Sequence, residues 1–94
     1  MKKAIIYTRG AGREEQKRHC EEYARKRGYY VVASDMDWED VEKTVIIGDV
    51  DAVIVVDLAR ITRKYAEYIS TKNIFKVFGV RLVIAPNFKG GKVR

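Results

Sequence analysis

Short apolar runs and longer segments with helical spacing alternate along the chain. The first run, residues 3–8, is apolar and partly β-branched, and similar runs follow at 29–33, 52–56 and 80–85. Short runs of this kind, bounded by turn residues, are typical of β-strands. The run at 52–56 is Ala-Val-Ile-Val-Val, without a polar member. It therefore indicates a central parallel strand that is covered on both faces.

The segments between these runs have the pattern of amphipathic helices. From Arg13 to Arg27 the inward positions recur every three or four residues, and Gly28 follows as a C-cap. Residues 35–48 predict a shorter acidic helix that ends at glycine, and a third helix is expected from Leu58 or Thr62 to Phe78. The order β-α-β-α-β-α-β predicts an open parallel sheet with helices on both faces, since crossover connections are right-handed.

Length and cysteine content narrow the class of protein. A chain of 94 residues predicts one domain, which we place at residues 1–88, with 89–94 as a flexible basic tail. The only cysteine, Cys20, has no disulfide partner in the chain and is expected to be a buried structural thiol. This fits a reducing compartment and a cytoplasmic protein. No apolar stretch approaches the roughly 20 residues that span a bilayer, so no membrane partner is expected.

The net charge of +6 is unevenly distributed along the chain. Seven acidic residues and one lysine lie between Asp35 and Asp51, whereas nine basic residues and a single acid, Glu67, lie from Leu58 onward. This asymmetry indicates a positive surface that could meet a polyanion, most readily a nucleic acid. A solvated charged surface without a partner accounts for the charge equally well.

Arginines follow two strands of the predicted sheet, at the edge where such folds bind their ligands. The first strand ends in Tyr-Thr-Arg-Gly-Ala at 7–11, and the third in Asp-Leu-Ala-Arg-Ile-Thr-Arg at 57–63. On a helix, Arg60 and Arg63 would share a face, and Arg9 joins them if the two strands are neighbours. Three guanidiniums beside helix N-termini predict a phosphate site. The alternative is that each arginine pairs with a nearby carboxylate at the surface.

These two motifs resemble those of the serine recombinases, the resolvase and invertase group. Residues 7–11 resemble the family's Tyr-x-Arg-Val-Ser, and residues 58–63, Leu-Ala-Arg-Ile-Thr-Arg, resemble its Leu-Asp-Arg-Leu-x-Arg. The segment 14–29 is similar to the family's first helix, so the resemblance covers most of residues 3–88. It implies a resolvase-like α/β fold, a three-layer open sheet of four mainly parallel strands in the order 2-1-3-4.

The resemblance also implies a chemistry. In that family a serine attacks a DNA phosphate and arginines stabilise the developing charge, without a metal or a cofactor. By position, the residues implied in phosphate or DNA binding are Arg9, Gly10, Gln16, Arg60 and Arg63. Neither cofactor nor metal is expected here. The implied partners are DNA, a full-length recombinase, or a second copy of the chain in a homodimer.

The chain departs from the family where bond cleavage would occur. The position of the nucleophilic serine is Ala11, and the acidic position of the second motif is Ala59. We therefore expect a domain that binds DNA or a recombinase partner and is catalytically inactive. One alternative is an active recombinase fragment, or another phosphoester-cleaving enzyme, that uses a different hydroxyl, Thr8 or Thr62. A second alternative is a protein-interaction module that oligomerises through the aromatic helix from Tyr65 to Phe78.

Overall fold

A computed structural model describes residues 2–89 of the chain. Strands and helices alternate: β1 (Lys2–Ile6), α1 (Arg13–Arg27), β2 (Tyr29–Ala33), α2 (Trp38–Ile47), β3 (Ala52–Val55), α3 (Tyr65–Val77) and β4 (Arg81–Ile84). A single 3-10 turn, Leu58–Arg60, follows β3. Most of the predicted basic tail, residues 90–94, lies outside the described residues.

The four strands form one parallel sheet in the order β2-β1-β3-β4, which confirms the predicted order and the α/β class. β1 and β3 are neighbours in register, with Ala4 beside Ala52 and Ile6 beside Ile54. All four residues of β3 are buried, as its apolar run predicted. Because parallel strands end at the same edge, the segments that follow β1 and β3 emerge next to each other.

The two faces of the sheet carry different side chains. On one face α1 packs against small residues, among them Ala4 and Ala52. On the other face α2 and α3 cover a larger apolar cluster that includes Ile5, Val53 and Phe75. Successive residues of β1 serve opposite faces, since the side-chain period of a strand is two. The result is the predicted arrangement of three layers.

Two helices begin later than the sequence pattern predicts. α2 starts at Trp38 rather than at Asp35, because the Asp37 carboxylate accepts the backbone N–H of Asp40 at 3.0 Å and so forms the N-cap. α3 starts at Tyr65, not at Leu58 or Thr62. The Thr62 hydroxyl accepts the backbone N–H of Lys64 at 3.2 Å, a local bond that competes with helix.

The late start of α3 changes the arginine segment. Arg60 ends the 3-10 turn, and Arg63 lies in irregular chain before α3. The prediction that these two arginines share one helical face is therefore wrong. Arg60 and Arg63 are brought together by the path of the loop between β3 and α3, and not by helical periodicity.

Candidate anion-binding site

The turn between β1 and α1 is shaped by two glycines and one buried amide. Gly10 and Gly12 have φ angles of 83° and 73°, a left-handed conformation that glycine adopts without strain. Below them the fully buried Gln16 donates from Nε2 to the carbonyl oxygens of Arg9 and Ala11, both at 2.9 Å. Its Oε1 accepts the Arg9 N–H at 3.2 Å. Both hydrogens of the amide nitrogen are thus used to hold the turn.

Arg60 crosses from the segment after β3 to the turn after β1. Its Nη1 donates to the carbonyl oxygen of Arg9 at 3.0 Å, and its Nε lies 3.6 Å from Asp57 Oδ1. These last two atoms are buried and have no hydrogen-bond partner in residues 2–89. A Cβ at Gly10 would lie 3.0 Å from Nη1, closer than most side-chain contacts. Glycine at this position therefore makes room for the guanidinium.

An open cavity of about 410 Å³ lies at this edge of the sheet. Its lining comes from the two strand ends: Arg9, Gly10, Ala59, Arg60, Ile61, Thr62, Arg63 and Lys64. Four of these side chains are cationic, and no carboxylate belongs to the lining. Such a cavity can hold an anion through charge-assisted hydrogen bonds.

The cations of this cavity differ in how firmly they are held. Arg60 is tied to the Arg9 carbonyl and the Asp57 carboxylate, and 24% of its side chain is exposed. Arg9 and Arg63 are exposed and make no ion pair within the described chain. Lys64 Nζ is 3.9 Å from Glu67 Oε2. The site thus combines one positioned guanidinium with two unrestrained ones.

The structure brings together four of the five residues implied in phosphate binding: Arg9, Gly10, Arg60 and Arg63. The fifth, Gln16, lies beneath the turn and does not line the cavity. Ala59 is part of the lining, whereas Ala11 is exposed at the tip of the turn outside it. Lys64 joins the cavity although the sequence analysis did not name it. The sequence could have indicated Lys64, because this cation directly follows Arg63 in the segment that was expected to bind phosphate.

The two hydroxyls considered as substitute nucleophiles lie in different places. Thr8 is beyond the end of β1, not within the strand as expected, and lines a separate cavity with Arg13, Lys17 and Asp35. Thr62 lines the arginine cavity, on irregular chain and not on a helix. Its hydroxyl donates to Glu67 Oε1 at 2.7 Å.

The aromatic residues of α3 and its C-cap, Phe78, divide into a buried and an exposed pair. Tyr68 and Phe75 belong to the core, where Phe75 stacks on Trp38 with ring centroids 5.7 Å apart. Tyr65 and Phe78 remain 68% and 42% exposed. The sequence predicted a contact surface on this helix. Of these four aromatic residues, only the exposed pair, Tyr65 and Phe78, can contact a partner.

Within residues 2–89 no group of three or more His, Cys, Asp and Glu side chains is arranged to bind a metal ion. None of the helices described in that range is both long and apolar enough to cross a bilayer. Cys20 is buried, and desolvation, with a smaller contribution from the charge of Glu21, raises the pKa of its thiol to about 12. It is thus a protonated core residue at neutral pH.

The fold is similar to that of solved serine recombinase catalytic domains. The chain superposes on the C-terminal catalytic domain of ISC1926 TnpA, an IS607-like serine recombinase, with a TM-score of 0.74 and 26% identity, covering 93% of this chain and 72% of that one. The N-terminal catalytic domain of TP901-1 integrase gives a TM-score of 0.80 at 21% identity, over 89% and 77% of the two chains.

A third similar structure is a resolvase family site-specific recombinase from Streptococcus pneumoniae. Its TM-score is 0.80 at 23% identity, and the match covers 98% of this chain and 75% of that one. No protein-family model and no curated protein sequence matches the chain. The predicted resolvase-like fold is confirmed by these structures.

Proposed function

We propose that this domain binds the phosphate backbone of DNA through its arginine edge, in a role related to site-specific recombination, and does not cleave the DNA. The observation that carries the proposal is the cavity in which Arg9, Arg60, Arg63 and Lys64 meet without a lining carboxylate. The names of the similar structures describe recombinases and an integrase, enzymes that handle DNA. A positive cavity of this kind favours the negatively charged backbone over the bases.

The absence of cleavage follows from the side chains at two positions. The resemblance places the nucleophilic serine at Ala11, whose methyl group cannot form a phosphoester. It places an acid at Ala59, which contributes only a methyl group to the cavity. Positioned cations bind phosphate in its ground state as well, so the arginines retain a binding role without the reaction.

The test is double-stranded DNA binding by fluorescence anisotropy over a salt series. We expect Arg63→Ala to weaken binding and to lower the slope of log K against log salt by about one. The matched control is Lys72→Ala, which removes one exposed cation from α3, away from the cavity. Equal slopes for the two variants would contradict the assignment of this edge as the DNA site.

One contact favours a second function, phosphoester cleavage by Thr62. Its hydroxyl lines the arginine cavity and donates to the Glu67 carboxylate at 2.7 Å, the arrangement of a nucleophile with a general base. The same hydroxyl also accepts the backbone N–H of Lys64, so the position of Thr62 is equally explained as a local turn before α3. Incubation with supercoiled plasmid and mapping of any covalent adduct decides between them. An adduct on Thr62 that disappears in Glu67→Gln would establish the enzyme.

A further inference from the structure

A second positive cavity lies at the opposite edge of the sheet, where the strands begin. Its volume is about 450 Å³, and it opens on the face covered by α1. Its side chains come from the start of three strands and the end of α1: Lys2, Tyr23, Arg27, Tyr29, Arg81 and Val83. None of them lines the arginine cavity at the carboxyl edge. The two cavities can therefore be tested separately.

The cations that line this cavity are not engaged in ion pairs within the described part of the chain. Lys2, Arg27 and Arg81 make no ion pair within residues 2–89, and no carboxylate belongs to the lining. A carboxylate at this edge of the sheet, Asp51, accepts the backbone N–H of Lys3 at 2.8 Å. Like charges gathered in a concave surface concentrate the positive potential there.

Aromatic side chains lie among these cations. The Arg27 guanidinium is 5.0 Å from the centroid of the Tyr23 ring, a cation–π contact. Tyr29, the first residue of β2, is half-buried at the same cavity. Val83 of β4 completes the lining with a partly buried aliphatic side chain. Aromatic rings and cations thus lie side by side at a cavity of about 450 Å³, which has room for a planar ligand.

We propose that this cavity binds single-stranded nucleic acid. A base stacks on Tyr29 or on the Arg27–Tyr23 pair, and the adjoining phosphate contacts Lys2 and Arg81. Stacking surfaces combined with a positive groove bind single strands with little sequence preference. A duplex hides the faces of its bases, so the cavity discriminates against it. The proposal does not depend on DNA binding at the arginine edge.

The experiment measures anisotropy of a labelled 12-nucleotide oligo-dT and of its duplex with oligo-dA. We expect Tyr29→Leu to weaken oligo-dT binding about 5- to 150-fold, the usual effect of losing one stacked base. The matched control is Tyr30→Leu, which alters the next residue of the same strand, 58% exposed and outside the cavity. Arg27→Ala combined with Arg81→Ala should lower the affinity for oligo-dT at least tenfold and leave duplex binding within about twofold.

Two further measurements make the result decisive. Arg63→Ala should weaken duplex binding, whereas Tyr29→Leu should leave duplex binding within about twofold, which separates this site from the arginine edge. Free dTMP, which offers the same base and phosphate, should compete only at concentrations far above that of the oligonucleotide. Equal losses for Tyr29→Leu and Tyr30→Leu would overturn the proposal. Competition by dTMP at the concentration of oligo-dT would overturn it in favour of a mononucleotide site. Loss of self-association in the variant with both Arg27→Ala and Arg81→Ala would overturn it in favour of a contact with a second copy of the chain.

Discussion

The guanidinium of Arg60 donates a hydrogen bond to the backbone carbonyl oxygen of Arg9, 3.0 Å away and 51 positions earlier in the chain. This bond joins the segment after β3 to the turn after β1. Arginine carries five N–H donors, so one bond to the carbonyl leaves others that can face an anion. Arg60 thus both links the two segments and supplies positive charge to the cavity, whereas Arg63 only supplies charge.

The two arginines should therefore respond differently to truncation. Arg60→Ala removes the bond to Arg9 and is expected to lower the free energy of unfolding by about 1 kcal/mol. Arg63→Ala should change the free energy of unfolding by no more than about 0.5 kcal/mol, because the side chain that it removes is exposed and makes no ion pair within the described residues. Both variants should weaken DNA binding. Urea unfolding monitored by circular dichroism measures the difference, and equal stabilities would contradict the structural role of Arg60.

Gly10→Ala tests the close approach of Arg60 to the turn. The variant has a Cβ at φ 83° and within 3.0 Å of Arg60 Nη1. Gly48→Ala is the matched control, since its φ is 80° and nothing lies within 4 Å of a Cβ there. Both should pay the left-handed penalty of about 1–2 kcal/mol. We expect the larger loss of stability, and weaker DNA binding, only in Gly10→Ala. Identical behaviour of the two would show that the arginine yields freely.

Gln16→Leu removes the amide that holds the turn from below. The Ala11 carbonyl oxygen and the Arg9 N–H lose the partner that the amide supplies, whereas the Arg9 carbonyl oxygen keeps its bond from Arg60. A buried polar group left without a partner costs about 1–3 kcal/mol. We expect the free energy of unfolding to fall by at least about 2 kcal/mol. Glu15→Leu, at the exposed neighbouring position of α1, is the control. A Gln16→Leu variant as stable as the control would mean that the turn holds itself.

The sequence could predict the framework because its signals are local and agree with one another. The bounds of α1 and β2 match the pattern, since Gly28 ends the helix where the strand residues begin. The prediction of a helix through the arginine segment was wrong. The spacing of the residues there is compatible with a helix, but the Thr62 hydroxyl accepts the backbone N–H of Lys64 and so favours a turn. The place of Gln16 beneath the turn could not be predicted for another reason. A glutamine on an inward helical position looks the same whether it faces a ligand or the backbone of a turn, and only the tertiary contacts separate the two.

The buried thiol predicts how stability depends on alkaline pH. Burial raises the pKa of Cys20 to about 12 from the 9.0 of an exposed thiol. The unfolded chain therefore loses this proton at a lower pH than the folded chain, so deprotonation favours unfolding. Stability should fall between pH 9 and 12 more steeply in the wild type than in Cys20→Ala. Denaturation in urea at several pH values measures it, and parallel curves for the two proteins would contradict the assignment.

Restoring the missing hydroxyl should not restore cleavage. In Ala11→Ser an oxygen stands at the tip of the turn, but Ala59 still supplies no carboxylate to the cavity. Members of a catalytic unit act in a strongly non-additive way, so one member returned recovers little. We expect no covalent DNA adduct from Ala11→Ser and at most trace cleavage from Ala11→Ser with Ala59→Asp. Efficient cleavage by the single variant would show that the rest of the machinery is intact.

The exposed aromatic residues of α3 predict self-association at high concentration. Tyr65 and Phe78 should lie in the contact, and Tyr65→Ser with Phe78→Ser should shift the protein to a monomer in sedimentation velocity. Arg18→Ser, which removes an exposed cation from α1, is the control. A wild-type protein that stays monomeric at millimolar concentration would exclude this surface as a homodimer contact.

The position of β1 inside the sheet has a consequence for the order of folding. β1, α1 and β2 are complete at Ala33, and they can pair as soon as the chain has reached that point. The other side of β1 has to wait for β3, which begins at Ala52, and until then it is an open strand edge that another chain could occupy. Arg60 follows β3, so the nascent chain exposes this edge before it can form the cavity. During synthesis, pairing of β1 with another chain therefore competes with pairing of β1 with β3, and only the second leads to the arginine cavity.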